Sequence, residues 1–252
     1  MIKRQFFFFA MIFSAFNAAG CIDSNRRYGG MTVAEAFPDP AVRNLAKAAA
    51  VGDLKIIDKS IAMGIDVNAT GTKGVTPLWW SIIVYNFTGF EHLLSKGANP
   101  NIQPFGYRNA GYQNVMDFAA MAKDSEFLEA AIKAGGDVNL VSRFDGATPI
   151  FSAIIGRELR NIELLISHGA DLNFQDPTGK TPLIAAVDIN DFEIAYYLLA
   201  RGADPTLKVK TGQTVLFSIK NNRIDPESEG FRWRQKVMAL LKEKGIDIDR
   251  GQ

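Results

Sequence analysis

A chain of 252 residues, 47% of them apolar, is long enough to bury one sizeable core. Its formal net charge is +1, and setting aside Lys3 and Arg4 leaves 26 basic residues against 27 acidic ones, without the basic surplus of a nucleic-acid binder. Cys21 is the single cysteine, so there is no internal disulfide and no cluster of thiolates for zinc.

Lys3 and Arg4 form a short positive head, Phe6 to Phe16 an uncharged run, and Ala18, Ala19 and Gly20 lead to Cys21. That succession predicts a secretory signal peptide over residues 1–20. A membrane-spanning helix is excluded by length, since such a run covers only about 16 Å of a hydrocarbon core about 30 Å thick. The string Ala18-Ala19-Gly20-Cys21 resembles the lipobox of bacterial lipoproteins. The resemblance implies that the Cys21 sulfur carries a diacylglycerol and that Cys21 becomes the N-terminus. The alternative is ordinary cleavage near Ala19 or Gly20, which leaves a soluble periplasmic protein. In such lipoproteins an aspartate directly after the cysteine tends to hold the protein at the inner membrane. Ile22 stands there and Asp23 one later, so the expected location is the periplasmic face of a membrane, with the outer membrane favoured. Residues 21–40 are polar at first, contain Gly29-Gly30 and end in Pro38 and Pro40, and read as a lipidated N-terminus and tether.

Beyond the tether the chain repeats itself. Gly-x-Asp/Asn strings begin at Gly64, Gly97, Gly135, Gly169, Gly202 and Gly245, spaced 33, 38, 34, 33 and 43 residues apart. Thr76-Pro77-Leu78, Thr148-Pro149-Ile150 and Thr181-Pro182-Leu183 each open 21 residues before a glycine of that series, and Thr214-Val215-Leu216 is a weakened copy. Thr-Pro suits a helix start, because threonine caps free amides and proline tolerates the first turn. A second helix follows, with its apolar stripe at Phe87, Phe90, Leu93 and Leu94, at Leu159, Ile162, Leu165 and Ile166, and at Phe192, Ala195, Leu198 and Leu199. The glycine stops that helix in a left-handed conformation, and Asp-x-Asn with a later Gly74, Gly146, Gly179 or Gly212 suits a turning finger.

This pattern resembles the ankyrin-repeat family, whose T-P-L-H…G-A-D signature has a period of about 33. The resemblance covers residues 41–249 and implies an all-α solenoid of six helix-turn-helix repeats with finger loops: 41–70, 71–103, 104–141, 142–174, 175–207 and 208–249. The first lacks Thr-Pro-Leu, and the last is polar at Gln235 and Lys242, as suits capping repeats. The third has Asn114-Val115-Met116-Asp117 in place of the motif. Trp79, Phe151, Ile184 and Phe217 stand where the family has histidine, so packing is expected to replace its hydrogen bonds.

Catalytic chemistry has little to work with. His92 and His168 fall late in second helices and are expected to interact with helix C-termini. No G-x-S-x-G, His-Glu-x-x-His or phosphate-binding glycine loop occurs. Acid pairs such as Asp145 with Glu158 read as solvated or capping groups. The expectation is a non-enzyme with no catalytic residue, cofactor or metal.

The family resemblance implies that a partner sits against the finger tips and the first-helix face. The tip positions are Thr72, Lys73 and Val75; Phe144, Asp145 and Ala147; Pro177, Thr178 and Lys180; and Lys210, Thr211 and Gln213. The helix positions are Ile83, Val84, Ile155, Gly156, Asp188, Ile189, Asn221 and Asn222. The 38-residue spacing lengthens the third finger, Gln103 to Gln113, which carries Phe105, Tyr107, Arg108 and Tyr112, side chains common in interfaces. Those four either meet a partner or fold back over the degenerate third repeat. The 43-residue spacing adds residues around Arg223 to Trp233, and Phe231 and Trp233 are expected to seal the end of the stack.

The segment FPDPAVRNLAKAAAVGDLKIID, the Trp79-Trp80 pair and the stretch Phe231 to Val237 are similar to lipoproteins that act as immunity proteins against toxic phospholipases of type VI secretion. That resemblance implies a membrane-anchored binder, monomeric when free, which covers the active-site mouth of a secreted lipase. The competing class is a scaffold or assembly factor for an envelope complex.

Overall fold

The computed structural model describes residues 26–105 and 113–248. The signal segment, Cys21, Tyr107, Arg108 and Tyr112 lie outside the described residues. Within them the chain is all-helical, with thirteen α-helices and a single 3-10 turn at Thr72–Gly74. A short α1 (Val33–Ala36) precedes six helix pairs: α2 (Pro40–Val51) with α3 (Leu54–Ala62), α4 (Pro77–Ile83) with α5 (Phe87–Ser95), α6 (Val115–Met121) with α7 (Glu126–Lys133), α8 (Pro149–Gly156) with α9 (Leu159–Ser167), α10 (Pro182–Asp188) with α11 (Phe192–Ala200), and α12 (Val215–Asn221) with α13 (Glu229–Glu243). The loops before α4, α6, α8, α10 and α12 are the second to sixth fingers.

The recurring letters set the helix boundaries. Pro77, Pro149 and Pro182 occupy the first turn of α4, α8 and α10. Thr76 Oγ1 accepts from the Trp79 amide at 3.0 Å, and Thr181 Oγ1 from the Ile184 amide at 3.3 Å. Thr148 and Thr214 make no such cap. The degenerate third repeat is nonetheless capped. The Asp117 amide donates to Asn114 Oδ1 at 2.9 Å and the Asn114 amide to Asp117 Oδ2 at 3.4 Å, a reciprocal box that stands in for Thr-Pro. Each second helix ends at a glycine with positive φ, +88° at Gly97 and +86° at Gly169, as the sequence requires.

The Asp-x-Asn strings serve two purposes at once. Asp66, Asn99, Asp137, Asp171 and Asp204 each accept from the amide two residues on, closing a local turn. The following asparagine then reaches the next repeat. Asn68 donates to the Gly97 carbonyl and accepts from the Asn99 amide, at 3.2 and 2.7 Å. Asn101 does the same with Gly135 and Asp137, both at 2.8 Å, and Asn139 with Gly169 and Asp171, at 2.9 and 2.8 Å. Asn173 accepts from the Asp204 amide at 2.8 Å. A ladder of amide side chains thus runs along the finger bases.

Beneath it lies one continuous apolar core from Met31 to Leu241. Phe90, Leu93, Ile162, Leu165, Phe192, Ala195, Leu198 and Leu199 are all buried in it, as the second-helix stripes predict. Trp233 packs its ring 5.6 Å from that of Tyr196, which places it over the end of the stack.

Three expectations need correction. The tether does not extend to residue 40: Met31, Val33, Ala36 and Phe37 are buried, and Tyr28 and Phe37 meet the Trp80 ring edge-on at 5.7 and 5.8 Å. The first repeat has no finger of its own, and this apolar segment with α1 closes the side of the second finger in its stead. Thr72 Oγ1 donates to the Glu35 carbonyl at 2.6 Å. His92 bonds Asp58 of the preceding repeat at 2.8 Å, where Lys96 joins it, rather than serving its own helix end. His168 does bond its own helix, Nδ1 lying 2.9 Å from the Leu164 carbonyl. Trp79 does more than pack: its Nε1 donates to the Gln113 carbonyl of the third finger at 2.7 Å.

Candidate protein-binding face

The fingers are held to one another at their tips as well as at their bases. The Phe105 amide donates to the Lys73 carbonyl at 2.8 Å, joining the second and third fingers. Gln103 joins the third to the fourth, donating to the Val141 carbonyl and accepting from the Arg143 amide, at 3.0 and 2.8 Å. Gln175 donates to the Lys208 carbonyl, and the Lys210 amide to the Thr178 carbonyl, both at 2.9 Å, joining the fifth to the sixth. Between the fourth and fifth tips no hydrogen bond is found, although all these residues are described. There the Pro177 ring packs on Gly146, where a Cβ would stand 2.4 Å from Pro177 Cγ. Gln103 and Gln175 were not singled out from sequence. A signal existed, since each stands two residues after a ladder asparagine, in Asn101-Ile102-Gln103 and Asn173-Phe174-Gln175.

This bracing presents some of the anticipated side chains outward and withdraws others. Phe105 is 62% exposed, Phe144 38% and Ile155 48%, high values for large apolar groups. Phe105 does not fold back over the third repeat; its ring lies over Gly74 of the second finger. Asp145, Thr178, Lys210 and Gln213 are exposed, and Lys73 is half-buried at a left-handed turn, φ +58°. Lys180 and Asp188 pair with each other across finger and first helix, so their charges largely cancel. Val75 is a correction: it is fully buried, and Ile83 is buried as well. Phe217, expected to pack in the histidine place, is instead 36% exposed, whereas Trp79 and Phe151 in the same place set their rings against Phe118 and Phe174.

One titratable group lies beneath this face. Asp117 occupies the histidine place of the third repeat and is almost wholly buried. Burial first, and then the nearby Asp145 carboxylate, push its pKa up to about 7, against the opposing hydrogen bonds of Ser142, the Asn114 amide and Ser152. Among the described residues, no group of three or more His, Cys, Asp or Glu side chains is placed to hold a metal ion. No described helix is long and apolar enough to cross a membrane.

Stacked helix pairs with fingers turned to one side, an asparagine ladder at the finger bases and an exposed rim define an ankyrin-repeat solenoid, a non-catalytic scaffold architecture for protein–protein interaction. The family model for ankyrin repeats (three copies) matches residues 116–209. The chain is 31% identical over 160 residues to an ankyrin repeat protein, L371, of Acanthamoeba polyphaga mimivirus, covering 50% of this chain and 20% of that protein. It is 30% identical over 142 residues to protein PhlB of Serratia liquefaciens, covering 54% of this chain and 57% of that one. It therefore spans from a fifth to just over half of the length of these relatives. Among solved structures, an ankyrin repeat domain from Acinetobacter baumannii AYE superposes with a TM-score of 0.67 at 23% identity, over 80% of this chain and 97% of that chain. The described chain thus has the ankyrin-repeat fold, an architecture that mediates binding to other proteins, and residues 116–209 match the family model itself.

Proposed function

We propose that this protein is a stoichiometric binder of the bacterial cell envelope, tethered through Cys21 at the periplasmic face of a membrane. Its most specific role would be that of an immunity protein, which blocks a toxic secreted phospholipase by covering the mouth of its active site. The observation that supports a binder is the exposure of Phe105, Phe144 and Ile155 on one braced face. Large apolar groups held rigidly toward solvent lose little entropy on binding and gain most of their free energy there. The compartment and the toxin class rest on the lipobox-like Ala18-Ala19-Gly20-Cys21 and on the segments similar to known immunity lipoproteins. Occlusion suits a surface without chemistry of its own. It calls for a dissociation constant near the nanomolar range, about −12 kcal/mol.

The test is capture from native membranes by the full chain in detergent, with mass spectrometry and a phospholipase assay of the eluate. Recovery of one secreted lipase in a one-to-one complex, inactive until released, is expected. Recovery of resident envelope proteins with no lipase would replace the immunity role by that of a scaffold. Retention of full lipase activity in the complex would refute occlusion.

A further inference from the structure

Charge is unevenly distributed over the third to fifth repeats. Residues 113–204 carry 14 acidic side chains against 7 basic ones. Several of the acids, Glu126, Glu129, Glu163 and Glu193, lie on the second helices α7, α9 and α11, away from the fingers. Along the finger rim the balance reverses. Arg143, Lys208 and Lys210 are exposed there, and none has a carboxylate within ion-pair distance among the described residues. The rim acids accept hydrogen bonds within their own loops and are fewer than the cations. Asp145 accepts from the Ala147 amide, and Asp176 accepts from the Thr178 amide, the Thr178 hydroxyl and the Lys180 amide. In order along the finger rim stand Phe105 on the third finger, Arg143 and Phe144 on the fourth, and Lys208 and Lys210 on the sixth.

We propose that this rim binds an acidic, extended polypeptide segment carrying apolar side chains, contributed by the partner protein. The inference rests on reading this face as the partner-binding surface. Complementary charge supplies the choice of partner: a narrow anionic chain laid along the row meets the cations without approaching the acidic helices behind them. A broad polyanion would meet both. The two exposed phenylalanines offer apolar surface for such side chains and nothing for a headgroup. Length follows from the geometry. Packed helix layers lie about 10 Å apart, so the second to sixth fingers span about 40 Å. At about 3.3 Å per residue that holds roughly twelve residues of extended chain.

The experiment uses the purified full chain and, as probe, a fluorescein-labelled twelve-residue peptide of alternating glutamate and leucine, read by anisotropy. A lysine–leucine peptide, vesicles of phosphatidylglycerol with phosphatidylcholine, and a single-stranded oligonucleotide complete the set. The acidic peptide is expected to bind best, to weaken with added salt, and to lose at least tenfold in affinity in the Lys208→Glu/Lys210→Glu double variant. The same charge change on α3, Lys55→Glu/Lys59→Glu, should shift affinity less than twofold. All four lysines are exposed, and circular dichroism verifies that both variants fold. Equal binding of the lysine peptide, equal loss in the two double variants, or a row-dependent preference for vesicles or oligonucleotide would overturn the proposal. The assay does not involve the natural partner, so its failure leaves the binder reading standing. A failed membrane capture, conversely, leaves the peptide result intact.

Discussion

Replacing Asn139 by alanine tests whether the asparagine ladder couples the repeats. Asn139 donates to the Gly169 carbonyl at 2.9 Å and accepts from the Asp171 amide at 2.8 Å. Each such bond contributes about 1 kcal/mol net, so the substitution is expected to cost roughly 2 kcal/mol. For a protein of this size that lowers the Tm by roughly 4–8 °C. The location matters more than the sum. The fourth and fifth fingers share no tip-to-tip hydrogen bond, so losing Asn139 leaves their junction to apolar packing and to Arg157, which bonds Asp191 and the Ile189 carbonyl at the far end of the helices. Repeat stability is a sum of nearest-neighbour terms, and a weakened interface divides the stack into separately unfolding parts. The three tryptophans report on both sides: Trp79 and Trp80 in the second repeat, Trp233 in the sixth. Urea unfolding in the Trp233→Phe background, whose fluorescence reports the second repeat alone, should coincide with unfolding by circular dichroism when Asn139 is present. With Asn139→Ala, the circular dichroism transition should begin before the fluorescence transition. A loss no greater than that of Asn44→Ala, an exposed position on α2, with the transitions still coincident, would refute the coupling.

The buried Asp117 carboxyl predicts an unusual pH dependence. Its pKa rises from 3.8 in the unfolded chain to about 7 in the fold. The folded state therefore binds the proton more tightly, and stability from this group is fully present below about pH 4 and is lost as pH rises through about 7. Asp117→Asn should stabilise the protein by about 2–4 kcal/mol at pH 8 and change little at pH 4, by urea denaturation at the two pH values. Trp79→Phe removes the bond to the Gln113 carbonyl and should cost about 1–3 kcal/mol, seen as a lower urea midpoint with an unchanged slope. Gly89→Ala would place a Cβ 1.9 Å from the Ala49 carbonyl oxygen, backbone of α2. Separating α5 from α2 should cost at least about 3 kcal/mol, and a Tm within a degree or two of the parent would contradict that packing.

Much of this architecture is legible in the letters because each letter does a job no other residue does as cheaply. Gly97 and Gly169 stop helices at positive φ, Pro77 and Pro182 start them, and the asparagines of Asp-x-Asn reach the next repeat, so the phase of one motif fixes the others. What stayed hidden depends on contacts between distant segments. The one signal in Met31 to Phe37 is the capping box Thr32-Val33-Ala34-Glu35, too short a pattern to stand out; α1 is four residues long and persists because it covers Trp80 and the second finger. His92 looks like a helix-end residue until Asp58, 34 residues earlier, is brought beside it. Val75 and Lys180 occupy the same place in their fingers, yet one is buried and the other half-exposed, a difference set by what each finger leans on. The site was thus legible as a set of positions, but its exposed members emerge only once the fingers are assembled.

Pro177 gives the rim a preferred place to bend. Having no N–H, it offers the fourth finger nothing to accept, and its ring rests on Gly146 as a bearing surface. Elsewhere in the row, flexing stretches a hydrogen bond at the tips; here it only slides one small contact over another. Bending of the rim is therefore least opposed at this one joint, with Phe105 and Phe144 on one side and Lys208 and Lys210 on the other. Turning that joint strains the Asn139 bonds at the finger bases but no bond at the tips. Stiffening it, for example with a residue at 177 able to donate to the neighbouring loop, would exchange breadth of recognition for tightness toward one shape.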